Sequence, residues 1–162
     1  MKIVSLRVLL KKLKNKKKGV VLVSGTFDLL HPGHIEFLEK SKKFGDILVV
    51  CLTSNKNVQK RKGLLRPIYA EKVRASIVSA LKPVDYVIIS RYSAYDKKIL
   101  DLIRPNIVVF SLEGGRCMYR KNYKEKIEKY SPHLKVRYVN TTSVFSTTKT
   151  INKIINRTKD IL

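Results

Sequence analysis

The sequence predicts an α/β fold built on a doubly wound, parallel sheet of five strands. Short apolar runs of strand length alternate along the chain with stretches of helical apolar spacing. Several of these runs are too continuously apolar for a sheet with one wet face, which favours strands buried on both faces. The length of 162 residues and the 44% apolar content suit a single core. We therefore expect one domain over residues 1–162.

The elements follow in order along the chain. Residues Ile3 to Leu13 have helical apolar spacing, which predicts a helix packed across the domain rather than on a membrane surface. The predicted strands are Val20–Ser24, Ile47–Leu52, Tyr86–Ser90, Ile107–Phe110 and Lys135–Val139. The predicted helices are Ile35–Lys43, Glu71–Leu81, Asp96–Ile103, Tyr119–Tyr130 and Thr147–Asn156. Right-handed crossovers place the ligand crevice beyond the carboxyl ends of the strands, at the switch point. The segments that follow the strands begin at Gly25, Thr53, Arg91, Ser111 and Asn140.

Charge and cysteine content limit the class of protein. The formal charge of +23 favours anionic partners such as nucleotides, phosphosugars, RNA or an acidic membrane, but it suits a solvated surface equally well. Cys51 and Cys117 are too few for a disulfide framework and lack the spacing of a zinc site, so we expect a reducing cytoplasm. We expect no signal peptide, because the basic and apolar opening has no cleavage site. No apolar run approaches the ~20 residues that cross a bilayer, so we expect no membrane partner.

The most informative stretch runs from Gly25 to His34 and reads Gly-Thr-Phe-Asp-Leu-Leu-His-Pro-Gly-His. A glycine at a strand end lets backbone approach a ligand closely, and a helix N-terminus offers free N–H groups to phosphate. Imidazole N–H groups can donate hydrogen bonds to oxygens that gain charge in phosphoryl-type transfer, which suits His31 and His34. Local roles remain open, with His34 capping the helix and His31 bonding within the loop. Metal ligation is a further alternative, although no third ligand is evident nearby.

This pattern, placed between a strand and a helix, resembles the signature of the cytidylyltransferase-like nucleotidyltransferase superfamily, whose Rossmann-like fold carries an HxGH motif. The resemblance implies that His31 and His34 contact a triphosphate and stabilise the transition state. It assigns the other nucleotide contacts of this stretch to Gly25, Thr26, Phe27 and Gly33. Asp28 is assigned to the substrate side, where bracing the loop is favoured over acting as a base. Mg²⁺ is expected to accompany the triphosphate, with no metal ligand assigned to the protein.

Further segments resemble the same superfamily in order and spacing. They are Phe44-Gly45-Asp46, Lys62-Gly63, Arg66-Pro67, Glu71 with Arg74, Val84-Asp85 and Phe145-Ser146-Thr147-Thr148. The resemblance implies a catalytic and substrate-binding Lys62, a substrate-binding Arg66 and a nucleotide-binding Arg74, with Lys62 and Arg66 in a basic loop. Ser146, Thr147 and Thr148 would hold phosphate at a helix start, although plain N-capping by these residue types is the alternative.

The substrate preference depends on finer likenesses. The opening Lys2–Leu6 resembles the adenylyltransferase domain of bacterial heptose kinase/adenylyltransferases. Thr141–Val144 lacks the Arg-Thr-Glu-Gly of glycerol-phosphate cytidylyltransferases, which favours ATP over CTP. After the fourth strand, Ser111–Gly115 departs from the Gly-Gly-Asp of the heptose enzymes, and Glu113 takes the expected nucleotide-binding position. A heptose-type sugar 1-phosphate is the first expected acceptor, ahead of the acceptors of archaeal-type FAD synthetase and of glycerol-phosphate cytidylyltransferase.

A non-enzymatic alternative is an anion or nucleic-acid binding module on the same fold. The charge of +23 and the altered Ser111–Gly115 segment support it. The aromatic residues Tyr119 and Tyr123, which are separated by basic residues and an asparagine, could stack bases, but their helical spacing favours positions on a half-buried helix face. Because His31 and His34 are both present, the enzyme is preferred and a nucleic-acid partner is not expected. The expected assembly is a homodimer.

Overall fold

The computed structural model describes residues 1–14, 19–92, 95–112, 117–142 and 145–159. Within them the strands are β1 (Val20–Gly25), β2 (Ile47–Thr53), β3 (Tyr86–Ser90), β4 (Ile107–Ser111) and β5 (Lys135–Val139). The helices are α1 (Leu6–Leu13), α2 (Pro32–Lys42), α3 (Asn55–Lys62), α4 (Glu71–Ala80), α5 (Lys97–Ile103), α6 (Cys117–Tyr130) and α7 (Thr147–Lys159). Of these helices, none is long and apolar enough to span a membrane.

The strands form one parallel sheet in the order β3-β2-β1-β4-β5. Val21 on the central strand pairs with Leu48 on one side and with Ile107 on the other. The chain progresses outward from β1 to β3 and then returns to place β4 on the opposite side of β1. This reversal is a topological switch point, where a crevice opens beyond the carboxyl ends of β1 and β4. The predicted fold class is confirmed.

Helices cover both faces of the sheet, and each face has its own apolar cluster. On one face Leu9 of α1 packs with Ile99 of α5 and Ile127 of α6. On the other face Phe37 and Leu38 of α2 pack with α4 and with the side chains of β1 and β2 that point to that face. Because both faces are dry, β1 and β2 read as continuous apolar runs, and residues 20–23 and 47–52 are buried without alternation.

Two predictions about local structure are wrong. The helix predicted from Ile3 begins at Leu6, because Ser5 caps it with its hydroxyl on the Val8 N–H, and Ile3 forms a bridge with Val87 beside β3. The second error concerns Lys62, which was expected in a basic loop and instead ends α3, a helix over Asn55–Lys62 that was not predicted. This short helix follows β2 directly and brings a basic segment to the edge of the crevice.

Candidate nucleotide site

A cavity of about 390 Å³ opens at the carboxyl ends of β1, β2 and β4. Its walls come from the strand ends, from α3 and from an aromatic side beside β4. The lining residues are Ser24, Gly25, Thr26, Phe37, Thr53, Asn57, Lys60, Arg61, Lys62, Tyr92, Tyr95, Phe110, Ser111 and Tyr123. The cavity therefore lies where the switch point predicted it, and Gly25, Thr26 and Lys62 among the predicted site residues line it.

The loop after β1 is held in an uncommon backbone conformation. Phe27 and Leu29 have φ values of 50° and 45°, in the left-handed region that side chains disfavour. The Phe27 ring is buried and packs over Gly25, where an added Cβ would lie 2.6 Å from a ring carbon. Gly25 is therefore required by the Phe27 ring, and it also lines the cavity. Such strain persists only where surrounding contacts fix the backbone.

Asp28, between these two residues, supplies much of that fixation. Its carboxylate is 1% exposed and accepts hydrogen bonds from Arg66 Nε and Nη2, at 3.2 and 3.0 Å. It also accepts the backbone N–H groups of Ile68 and Tyr69 at 2.9 and 3.0 Å. Burial alone would raise the pKa of Asp28, but these backbone bonds and the Arg66 charge together hold it below its usual value.

Arg74 binds the backbone of the same region. Its side chain is fully buried and donates to the carbonyls of Thr26, Thr53 and Tyr69, and to the side-chain oxygen of Asn55 at 2.9 Å. The Tyr69 backbone thus connects the two sets of contacts, because its N–H donates to Asp28 and its carbonyl accepts from Arg74. In this structure the Asp28, Arg66 and Arg74 contacts are internal, and they position the loops that surround the cavity.

The two motif histidines stack on each other. The ring centroids of His31 and His34 are 3.7 Å apart with 22° between the planes, and the edge of Phe27 meets His34 at 5.2 Å. His31 is the N-cap of α2, and Gly33 is buried in the first turn of that helix. The Nδ1 atoms of both histidines are buried and have no hydrogen-bond partner within the described part of the chain. Buried polar atoms are normally hydrogen-bonded, which makes these two Nδ1 atoms candidate contacts for a ligand.

The electrostatics of the pair favour neutral rings. Burial lowers the pKa of His31. For His34 burial, together with the positive charges of His31 and Lys62, lowers the pKa to about 3, against a smaller opposing effect of Asp28. At neutral pH each ring can therefore offer one N–H and one lone pair. An incoming phosphate would reverse part of this shift, because its negative charge favours the protonated ring.

Lys62 connects the histidines to the cavity. It is the last residue of α3 rather than part of a loop, it lines the cavity, and its charge acts on His34. Lys60 and Arg61 precede it and line the same wall. Sequence reasoning missed these two residues and Asn57, because α3 has no amphipathic period. The sequence signals that remained for this helix were its two caps, Ser54 before it and Gly63 after it.

The start of α7 meets the motif loop. Thr147 donates its hydroxyl hydrogen bond to the Asp28 carbonyl at 2.7 Å, and Ser146 accepts from the Lys149 N–H at 3.2 Å as an N-cap. Thr148 is exposed on the first turn. The helix N-terminus, with its partial positive charge, therefore adjoins the loop that leads to His31 and the start of α2. Glu113 lies outside the described residues, as do the neighbouring positions 114–116 and 143–144.

An aromatic cluster also lines the cavity. The rings of Tyr95 and Phe110 are 4.3 Å apart, and Tyr123 packs against Tyr95 at 5.5 Å. Tyr123 was expected on a half-buried helix face, and it is partly buried while also lining the cavity. Tyr92 is more than half exposed at the mouth. The site thus has one basic wall and one aromatic wall.

Comparison with known proteins agrees with this architecture. The family model described as cytidylyltransferase-like matches residues 22–155. The bifunctional protein HldE of Syntrophotalea carbinolica is 34% identical over 158 residues, which cover 94% of this chain and 30% of the relative. The chain therefore spans about a third of the length of that bifunctional relative. The FAD synthase of Archaeoglobus profundus is 37% identical over 152 residues, which cover 88% of this chain and 90% of the relative.

Two solved structures share the fold. A lipopolysaccharide core biosynthesis protein from Thermoplasma volcanium has a TM-score of 0.66 and 28% identity, covering 78% of this chain and 99% of that one. A pantoate-beta-alanine ligase from Francisella tularensis has a TM-score of 0.64 at 16% identity, covering 88% of this chain and 68% of that one, and supports the fold alone. Since the family model covers most of the chain and a relative above 30% identity aligns along nearly its whole length, the chain belongs to the cytidylyltransferase-like family.

Proposed function

We propose that this chain is a nucleotidyltransferase that joins the nucleoside monophosphate part of a triphosphate to a phosphorylated small molecule and releases pyrophosphate. ATP is the proposed donor in preference to CTP. The first proposed acceptor is a sugar 1-phosphate of heptose type. The observation that carries the proposal is the stacked pair of His31, the N-cap of α2, and His34 in the first turn of that helix, whose buried Nδ1 atoms are unpartnered in the described structure. The loop before the pair is joined to the start of α7 by a hydrogen bond.

The reaction follows from what these side chains can do. An oxygen of the acceptor phosphate attacks the α-phosphorus, the bond from that phosphorus to the bridging oxygen of the β-phosphate breaks, and pyrophosphate leaves with the electron pair. No covalent enzyme intermediate is needed. His31, His34 and Lys62 stabilise the negative charge that gathers on the phosphate oxygens. Ser146, Thr147 and Thr148 present hydroxyls and the α7 N-terminus to the phosphates.

A divalent cation at this site would be bound by the triphosphate. Among the described residues, no group of three or more His, Cys, Asp or Glu side chains is placed to hold a metal ion. The Asp28 carboxylate already accepts four hydrogen bonds inside the protein. Mg²⁺ would therefore enter bound to phosphate oxygens, as it commonly does, and neutralise part of their charge. The protein residues supply binding and orientation.

Flavin mononucleotide is a second candidate acceptor. The aromatic residues Tyr95, Phe110 and Tyr123 line the same cavity as the basic α3 segment, which suits a ligand with a planar ring at one end and phosphate at the other. The FAD synthase relative supports this candidate, since the alignment covers 90% of its length. We further propose that the protein acts as a homodimer in the cytoplasm.

Pyrophosphate release tests the function directly. The protein would be incubated with Mg²⁺, one of four triphosphates, and a heptose-type sugar 1-phosphate, flavin mononucleotide or glycerol phosphate. We expect release that requires both ATP and one acceptor, with the adenylylated product identified by mass spectrometry. Release with CTP and glycerol phosphate alone would overturn the donor and the acceptor. No release with any pair, together with no triphosphate binding by calorimetry, would overturn the enzymatic proposal.

A further inference from the structure

Two residues of α2 bind the segment that follows β5. Glu36 lies two positions after His34, and its carboxylate accepts hydrogen bonds from the backbone N–H and the hydroxyl of Thr142, at 3.0 and 3.1 Å. One turn further along the helix, Lys40 donates to the Asn140 carbonyl at 2.9 Å and pairs with Glu36 at 2.7 Å. The segment that leaves the sheet is therefore attached to the helix that begins within the HxGH motif.

This segment leads to the start of α7. Residues 140–146 join β5 to α7. At the near end of the connection, Val139 is buried in the same apolar cluster as Phe37 of α2. At its far end, the Thr147 hydroxyl donates to the Asp28 carbonyl at 2.7 Å. The contact with the α2 carboxylate lies between these two points and holds the irregular part of the connection.

The charge of Glu36 does not favour an anionic ligand. A carboxylate two residues from His34 repels phosphate, although the chain as a whole carries a charge of +23. The hydrogen bonds from Lys40 and Thr142 hold the pKa of Glu36 below its usual value, so the carboxylate is ionised at neutral pH. Hydrogen bonds from a backbone N–H to an ionised carboxylate are among the strong ones. Charge therefore gives no reason for a carboxylate here, whereas the bonds to Thr142 do.

We propose that Glu36 is a positioning residue that, through Thr142, holds the start of α7 beside the helix that carries His34. The inference rests on the proposed function, in which residues 146–148 bind the triphosphate together with the histidines. These two phosphate-binding elements come from distant parts of the sequence, so a fixed connection between them spares the ligand the cost of ordering it. Lys40 supports the same contact by orienting the Glu36 carboxylate.

Calorimetric titration with ATP and Mg²⁺ tests the proposal. Glu36→Ala should weaken ATP binding about tenfold, as for the loss of one charge-assisted hydrogen bond that orders a binding element. Removal of a negative charge by itself would act in the opposite direction and tighten binding. Glu36→Gln keeps an acceptor oxygen for Thr142 and should bind ATP within about threefold of the wild type.

Two further variants make the comparison specific. The matched control Glu39→Ala removes an exposed carboxylate from the same helix and should not weaken ATP binding. Thr142→Ala, at an exposed position, removes the hydroxyl contact and keeps the N–H, so it should weaken ATP binding by about threefold. Thr142→Ala also keeps the proposal testable if Glu36→Ala folds poorly.

Hydrogen exchange of the nucleotide-free protein separates this inference from the proposed function. In Glu36→Ala the backbone amides of residues 140–150 should exchange about tenfold faster, because the connection opens locally. The amides of β1 and β2 should exchange as in the wild type, and the unfolding midpoint should stay close to that of the wild type. In Glu39→Ala the exchange over residues 140–150 should be unchanged.

Two results would overturn the proposal. ATP binding by Glu36→Ala that is unchanged or tighter would show that this carboxylate does not position the phosphate-binding elements. Unchanged exchange over residues 140–150 in the same variant would show that the connection is held without it. A wild type that binds no ATP would overturn the proposed function instead, and the exchange measurement would still decide whether Glu36 holds the start of α7.

Discussion

Replacing Asp28 with Asn tests the claim that this carboxylate braces the site. An amide offers one acceptor oxygen where the carboxylate offers two. If that oxygen takes the place of Oδ2, the NH₂ group faces the Tyr69 N–H, and one buried hydrogen bond is lost to a contact between donors. Such a loss costs about 1–3 kcal/mol. Arg66 loses its charged partner and the fully buried Arg74 loses the nearby negative charge, so we expect a total of about 3 kcal/mol.

Urea unfolding followed by circular dichroism measures this loss. The matched control is Asp101→Asn, which removes an exposed carboxylate paired with Lys97 on α5 and should cost less than about 0.5 kcal/mol. Triphosphate affinity should fall in Asp28→Asn, since the Asp28 carboxylate fixes the loop that leads to His31. A loss of stability below about 1 kcal/mol would refute the reasoning, because the lost Tyr69 hydrogen bond and the lost charge beside Arg66 and Arg74 would then contribute almost nothing.

Three further predictions concern the same loop and cavity. Because the pKa of His34 is about 3 when folded and near 6.5 when unfolded, the unfolded state gains a proton between those values. Stability should therefore fall as pH drops from 6.5 towards 4, by up to about 1.4 kcal/mol per unit, and a His34→Gln variant whose slope is unchanged would contradict this. Gly25→Ala should destabilise by about 1–3 kcal/mol by crowding Phe27, whereas Gly19→Ala, with its nearest neighbour atoms at 3.7 Å, should be close to neutral in the same urea assay. Calorimetry should show triphosphate affinity falling about tenfold on raising salt from about 0.05 to 0.5 M, with no sequence preference in duplex titrations; salt-independent binding would exclude the basic wall.

The fold was predictable because its signal is repetitive. Strands buried on both faces leave uninterrupted apolar runs, and these predicted all five strands to within one residue at each end. α3 had no such signal, since Val58 is its only apolar residue, and a helix without an apolar period is indistinguishable from a basic loop. The switch point followed from topology, so the position of the cavity was predicted even where its lining residues were not.

The site was less predictable, because the partner of a charged side chain depends on tertiary structure. Asp28 and Arg74 were identified by their place in recurring motifs, and nothing in the sequence shows that Arg74 would meet the carbonyls of Thr26, Thr53 and Tyr69. The helical spacing around Tyr123 predicted a packed side chain, and it gave no sign that this side chain would also line the cavity. Motif likeness therefore singled out Asp28 and Arg74, and in this structure the contacts of both side chains are internal.

Turnover of the His34→Ala variant tests the central claim most directly. Initial rates of pyrophosphate release would be compared with those of the wild type, using ATP, Mg²⁺ and the acceptor identified in the screen. The account predicts a rate lower by roughly 10²-fold or more, as for loss of a preorganised donor to the transition state, with an unfolding midpoint close to that of the wild type. A folded variant that releases pyrophosphate at a near-normal rate would contradict the assignment of His34 and, with it, the proposed mechanism.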